Sequence, residues 1–520
     1  MGPKNNPIIS SKLLNTAIGE TDMHDIKSKA LRSGLAKLFG QAANSVLRVG
    51  FLVVLARLLD PGDFGLVAMV TVVTTFLERN ATIGLSSGAI QRADVTSQQN
   101  STLFWINLFV GLFLAVVCVA IAPVLVAFYH EPRLLWVTVA MGAVFVFGSA
   151  GVQHNVLLQR ELRYGTLTLI EVFSQLASFL VGTGLALAGY GYWALVAAAI
   201  ALPAMTTACL YFVTGWKPGK PRWDTGVRSM LGFGGTITLN GLVIYVAYNL
   251  DKVLIGRAWG TEALGLYTAA TQLINFPTAQ LHVAIGGVAL SALSRLQHDV
   301  TRHANYFLKA YTLIVSATLP LTIFTAVFTE DLVLAVLGSK WVSVVPICRL
   351  LSPTILTVGV ISPFAWFLFS IGNQMRSLHI AFVIAALTIT SYFIGLPYGP
   401  EGVALAYSSA MMIWLVPHIF WCTRGTPLSV WEVLRIAGRP LISTGAAVAV
   451  AYAVQSNIGG LPSPIIRLLL EGSIMVAVYS MLLLVMGQKD FYLDLFRAVT
   501  KSPDQNVEAG RLANSPLTRQ

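Results

Sequence analysis

Apolar runs of about 20 residues recur along the whole chain, the length an α-helix needs to cross a hydrocarbon core of about 30 Å. About fourteen such runs can be read, the first centred near Val46 and the last near Ala477. Inside lipid the backbone must satisfy its own hydrogen bonds, so a chain of such runs folds as a bundle of helices. Composition agrees, with 55% hydrophobic residues, 11% charged and a mean hydropathy of +0.71, against about 25% charged in a soluble domain. The expected fold is an all-α polytopic membrane protein with about 14 transmembrane helices.

Short cytoplasmic loops collect Lys and Arg. The N-terminal arm carries Lys4, Lys12, Lys27, Lys29, Arg32 and Lys37, and every second connection after it is basic, from Arg92 through Arg160 and Arg163 to Arg424, Arg435 and Arg439. That alternation predicts an even number of spans, with both termini in the cytoplasm. The net charge of +11 then reflects orientation and contact with an anionic bilayer leaflet; no nucleic-acid motif accompanies it. Cys118, Cys209, Cys348 and Cys422 are isolated packing residues, and the scattered histidines lack ligand spacing, so neither a metal site nor a disulfide framework is expected. With no P-loop or hydrolase motif, no cofactor or bound nucleotide is expected either.

The chain repeats itself. Ala56–Val70, ARLLDPGDFGLVAMV, returns as Gly256–Ala270, GRAWGTEALGLYTAA, with Arg57 matching Arg257, Gly65 matching Gly265 and Leu66 matching Leu266. A weaker echo links GYGYWAL at Gly189–Leu195 with GPEGVAL at Gly399–Leu405. Internal repetition in an apolar chain is the usual build of transporters that rock one helical bundle against another. The expected organisation is an arm at 1–32, a six-helix bundle at 33–214, a basic linker at 215–228, a second six-helix bundle at 229–423, two further spans at 424–487 and a disordered tail at 488–520.

Charges inside apolar runs cost about 2.5–3.5 kcal/mol each at mid-membrane, so they face cavities or partners. Arg48, Glu78, Arg79, Glu171, Asp251, Lys252 and Arg349 fall there, with Arg57 and Arg257 at helix ends. Two readings compete. In the structural one, neighbouring opposite charges such as Glu78–Arg79 and Asp251–Lys252 neutralise adjacent helices, and Arg57 and Arg257 anchor their ends. In the functional one, basic groups hold an anionic headgroup. Arg48 leads that reading: it lies about 22 Å up its helix at 1.5 Å per residue, with Asn44 one turn below on the same face. Arg79, at a similar depth from the other side, comes second, because a guanidinium offers paired, permanently charged donors suited to pyrophosphate. Gly234–Gly235 and Gly286–Gly287 mark hinge or close-packing points. Trp136, Trp193, Trp259 and Trp341 fit an outer aromatic belt.

Several strings resemble one family. ARLLDPGDFGLVAMV, GLSSGAIQR followed by TLFWINLFVGL, LQRELRYG at Leu158–Gly165, NLDKVLIGR at Asn249–Arg257 and GLYTAATQL at Gly265–Leu273 are similar to polysaccharide transporters of the Wzx flippase type within the MOP superfamily. The resemblance implies two six-helix bundles and two C-terminal helices that open alternately to either side of the bacterial inner membrane. It implies as cargo an oligosaccharide repeat unit on undecaprenyl pyrophosphate, and as pathway partners a polysaccharide polymerase and co-polymerase. It implies coupling to an H+ or Na+ gradient, for which Glu78, Glu171 and Asp251 are the candidate carriers. A multidrug or lipid II exporter of the same superfamily is the nearest rival. A membrane polymerase or ligase is a second, disfavoured because such enzymes use a long polar outer loop and the longest connection here, around Thr329–Val342, is short and apolar. A non-transporting scaffold is a third.

Overall fold

The computed structural model describes residues 40–91, 96–221, 235–297, 299–457 and 463–488. The arm at 1–32, the start of the first run, the linker from 222 and the tail from 489 lie outside the described residues. The chain is all-helical, with no strand among the described residues. We number the helices α1 Gly40–Leu58, α2 Pro61–Gln91, α3 Ser97–Tyr129, α4 Leu134–Arg160, α5 Tyr164–Leu187, α6 Tyr192–Thr214, α7 235–259, α8 261–295, α9 Val300–Val327, α10 Thr329–Val336, α11 Val345–Leu351, α12 Pro353–Ser370, α13 Gln374–Gly395, α14 Gly399–Thr423, α15 Val430–Ile436, α16 Gly438–Asn457 and α17 Pro464–Leu483.

Local chemistry sets the ends of these helices. Pro61 opens α2, where its missing N–H costs nothing. A capping box starts α3, with Thr96 Oγ1 accepting from Gln99 N at 3.2 Å and Gln99 Oε1 accepting from Thr96 N at 2.9 Å. In the loop after α3, hydrogen bonds from Arg133 at 2.8 and 2.9 Å hold the Glu131 carboxyl below its ordinary range. Two breaks need glycine. Gly260, at φ 80° and ψ −171°, divides a 61-residue helical stretch into α7 and α8, and Gly399, at φ 77° and ψ −167°, separates α13 and its short 3₁₀ extension from α14. Side chains strain in that conformation.

Eleven helical segments among the described residues are long and apolar enough to cross a membrane, against the fourteen or so runs read from sequence. The difference has two sources. Gln374–Thr423 counts as a single 50-residue segment despite its break. Helices α7 and α8, which carry Asp251, Lys252, Arg257 and Glu262, are absent from the eleven. Wide stripes of exposed apolar side chains, including Phe109, Phe113 and Val116 on α3 and Ile413 and Phe420 on α14, are surfaces that lipid would cover.

The helices gather into two compact units. One comprises 1–269, 336–340 and 381–400, and the other 270–335, 341–380 and 401–520. In the first, α3 packs along α4, α5 along α6 and α4 against α6, while Leu55 of α1 and Leu59 just after it form a core with Ala186 and Ala194. The linker after α6 is tied to α3, since Trp105 Nε1 donates to Gly219 O at 2.9 Å and Gly219 N to Ser101 Oγ at 3.0 Å.

The tightest contact of this unit joins the two repeats. A Cβ on Gly65 would stand 1.7 Å from Thr261 O, and one on Gly265 would stand 1.8 Å from Pro61 O. Pro61 and Gly65 correspond to Thr261 and Gly265 at the repeat offset, so α2 and α8 cross in a self-complementary contact of the kind a two-fold axis generates. Around it, Lys340 Nζ meets Asp60 Oδ1 at 3.1 Å, Trp259 Nε1 donates to Leu396 O at 2.9 Å, and Arg257 lies 5.8 Å from the centre of the Phe128 ring. The ion pair is exposed and contributes at most about 1 kcal/mol. The crossing rests on backbone proximity.

In the second unit α9 packs on α12 and α16, and α16 on α17. Phe307, Tyr311, Phe364 and Phe367 form an aromatic core with centroids 4.8 to 5.7 Å apart. A Cβ on Gly286 would meet Trp366 at 2.6 Å, so that glycine is a close-packing point. Trp341 departs from expectation. It is fully buried and belongs to the core, whereas Trp136 and Trp259 are 66% and 47% exposed.

Gly65→Ala and Gly265→Ala are each expected to lower stability by about 1–3 kcal/mol or more, the cost of overpacking where backbone cannot retreat. Gly50→Ala, where nothing lies within 4 Å, is expected to leave the thermal midpoint of the purified protein unchanged or slightly raised. Equal midpoints for all three variants would contradict the crossing.

Candidate functional site

Helix α1 is mostly half-buried. Val46 is 72% exposed on one side, and about 200° round, at 3.6 residues per turn, Arg48 shares a stripe with Leu52, Leu55 and Leu59. Leu55 and Leu59 are buried, yet Arg48 is exposed, and it has no ion-pair or hydrogen-bond partner among the described residues. Asn44, one turn below, keeps a buried Oδ1 without a hydrogen-bond partner. Arg48 is thus an exposed guanidinium within an apolar helix, two turns from buried Leu55.

Glu171 repeats this arrangement on α5. Leu169, Phe173, Leu176 and Leu180 form the exposed apolar stripe, and Glu171 lies about 200° from Leu169, among buried Leu167, Ser174 and Ser178. It too is exposed. The register of the two helices follows from their contacts, with Gly40 against Thr168, and Phe51 against Gly182 and Phe179. Asn44 and Glu171 therefore stand at one level, and Arg48 about one turn above them.

The other charges of this unit are engaged. Tyr245 of α7 donates its hydroxyl to Val72 O of α2 at 2.8 Å, and Arg79 lies 5.3 Å from the centre of the same ring, a cation–π contact with Glu78 alongside. Asp251 is 4% exposed; its Oδ1 accepts from Lys252 N at 2.7 Å, and the Tyr267 side chain of α8 bonds it. Lys252 Nζ donates to Asn249 Oδ1 at 2.9 Å. These contacts fit the structural reading. Arg57 packs beside Gly338, and Arg257 beside Phe128.

Arg349 belongs to the second unit, exposed on α11 between buried Cys348 and Leu351. That unit also holds two features outside the sequence expectations. One is a groove of about 350 Å³ between α9 and α17, walled by Pro320, Leu321, Phe324, Met475, Val476 and Tyr479. The other is a charge cluster. Arg467 Nη2 of α17 meets Asp331 Oδ1 of α10 at 2.8 Å, Gln455 Nε2 of α16 donates to Asp331 Oδ2 at 3.1 Å, and Glu471 lies beside both charges, 1% exposed. The signal was available, because Arg467 and Glu471 interrupt PIIRLLLEGSIMVAV four residues apart, which is one helix face.

Comparison with known proteins places this geometry in a family. Residues 54–346 match the family described as polysaccharide biosynthesis protein, more than half of the chain, and the protein belongs to that family. It is 30% identical over 284 residues to the teichuronic acid biosynthesis protein TuaB of Bacillus subtilis (strain 168), covering 54% of this chain and 58% of that protein. It is 25% identical over 334 residues to the lipopolysaccharide biosynthesis protein WzxC of Escherichia coli (strain K12), covering 63% and 65%. With the succinoglycan biosynthesis transport protein ExoT of Rhizobium meliloti (strain 1021) it shares 22% identity over 437 residues, covering 83% and 88%. Among solved structures, the lipid II flippase MurJ in an inward closed conformation superposes with a TM-score of 0.69 at 14% identity, over 90% of this chain and all of that one. An inward-facing multidrug resistance MATE transporter of the MOP superfamily gives 0.58 at 13% identity, over 75% and 96%. The fold is thus shared with flippases and exporters, and the chain is a multi-pass membrane protein of the polysaccharide biosynthesis family.

Cysteine at position 48 or 171 is expected to react with a membrane-impermeant maleimide applied to both membrane faces, above the level of the unsubstituted protein. Cysteine at 176, on the apolar stripe, or at 251, in the packed core, is expected to stay unreactive. Equal silence at 171 and 176 would show that no aqueous space reaches Glu171.

Proposed function

We propose that this protein is a flippase that carries undecaprenyl-pyrophosphate-linked oligosaccharide repeat units across the bacterial inner membrane for exopolysaccharide synthesis. The observation that carries the reading is Arg48, exposed and unpaired among the described residues within an apolar helix, in a chain of the polysaccharide biosynthesis family. A sugar chain on pyrophosphate cannot cross hydrocarbon unaided. A guanidinium in a water-filled cavity replaces part of the pyrophosphate's hydration with paired, charge-assisted hydrogen bonds, while the prenyl tail stays in lipid.

In this reading the termini are cytoplasmic, and two six-helix bundles followed by two C-terminal helices, about fourteen spans, expose the cavity alternately to each side. No bond in the cargo is made or broken; the protein shifts between states that bind the head differently. Arg48 and Asn44 hold the pyrophosphate, with Arg79, Lys252 and Arg349 as further basic groups reached in other states. Coupling to an H+ or Na+ gradient runs through Glu171, whose open position one turn from Arg48 sets a carboxylate against the anionic cargo, or through Glu78 or Asp251. The cargo would pass to a polymerase and co-polymerase. A lipid II or multidrug exporter shares only the fold, at 14% and 13% identity.

Arg48→Ala is expected to abolish polymer export in the native host at unchanged membrane abundance, with Arg48→Lys retaining part of it because one ammonium replaces a two-pronged donor. Normal polymer output from Arg48→Ala at equal abundance would remove Arg48 from the site.

A further inference from the structure

Asp331 and Glu471 are buried acids in the second unit, joined by half-buried Gln455 and by Arg467, whose side chain is 35% exposed, and the proposed cargo binding does not use them. Asp331 is 5% exposed and Glu471 1%. Both oxygens of Asp331 are engaged, Oδ1 by Arg467 at 2.8 Å and Oδ2 by Gln455 at 3.1 Å. Both oxygens of Glu471 lack a hydrogen-bond partner, although its carboxyl lies against Asp331 and Arg467 and lines a cavity of about 10 Å³ with Gln455 and Arg467. With every group ionised, two carboxylates and one guanidinium sum to −1. An unpaired carboxylate buried in an apolar helix pair is too costly to persist.

We propose that Asp331, Arg467 and Glu471 form a proton-binding site in which Glu471 carries the proton and donates it in a hydrogen bond to Asp331. The proton brings the cluster to neutrality and supplies the donor that the two facing carboxyl groups lack. It resides on Glu471 because Asp331 is the carboxyl ion-paired with Arg467 at 2.8 Å and accepts from Gln455. A metal cation does not fit. The cavity holds one water at most, and it is lined by the guanidinium-bearing Arg467 and by Gln455, whose amide N–H donates to Asp331. The charged groups facing Glu471 are Asp331 from α10 and Arg467 from its own helix; α16 contributes the neutral Gln455. This site is separate from Glu78, Glu171 and Asp251, and its test does not depend on the identity of the cargo.

Infrared difference spectroscopy of the full-length protein in lipid vesicles tests the inference. At pH 7 the wild type is expected to show the C=O band of a buried protonated carboxyl, shifted in D2O and lost in Glu471→Gln, which is nearly isosteric with the protonated acid. Asp331→Asn is expected to lose the band as well, because Arg467 and an ionised Glu471 then balance. Arg467→Gln is expected to strengthen it as both carboxyls take up protons. Superimposable wild-type and Glu471→Gln spectra would overturn the proposal. So would an unchanged band in Asp331→Asn, which would make Glu471 an isolated acid held neutral by burial alone. Where Glu471→Gln does not yield folded protein, the Asp331→Asn spectrum decides.

Discussion

The first unit depends on how closely two helix backbones approach at Gly65 and Gly265. A Cβ at either position would lie less than 2 Å from a carbonyl oxygen of the other helix, a separation that no side chain tolerates. Because the contact pairs one repeat with the other, it fixes α8 against α2 with few polar interactions. Hydrophobic attraction between helices is weak in lipid, where close van der Waals packing of small residues takes its place. Asp60–Lys340 and Trp259–Leu396 lie beside this crossing but tie its flanking residues to other segments, so the α2–α8 contact itself rests on packing.

Against this packed framework the buried charges divide by what surrounds them. Asp251 and Lys252 are bonded within α7 and α8, and Arg79 is held against Tyr245, so their cost is met by partners. Glu171 is open beside buried Leu167, Ser174 and Ser178, and Arg48 is exposed two turns from buried Leu55, so neither charge is met by packing of this kind. The first arrangement holds helices together; the second leaves groups available for binding.

Much of this was legible in the sequence because lipid permits few solutions. Apolar runs announced the helices, and the repeat singled out Gly65 and Gly265, which proved to meet each other. What sequence left open was direction. A charge inside an apolar run marked Arg48 and Asp251 alike, and only packing separated the open group from the bonded one. Trp341 looked like an interface aromatic because a loop position says nothing of burial, and it is a core residue. The Asp331–Arg467–Glu471 cluster was missed because its members lie more than 130 residues apart at the extremes, joined only when α10 meets α17. The break at Gly260 was equally hidden, since a helix and a bent pair of helices share one apolar pattern.

The central claim is that a lipid-linked repeat unit is moved without chemical change. It is tested most directly by deleting the gene in its own host and analysing secreted polymer and membrane lipids together by mass spectrometry. The account predicts loss of polymer, with complete repeat units accumulating on undecaprenyl pyrophosphate at the cytoplasmic face. Unchanged polymer and lipids, or complete units accumulating on the periplasmic side, would contradict it.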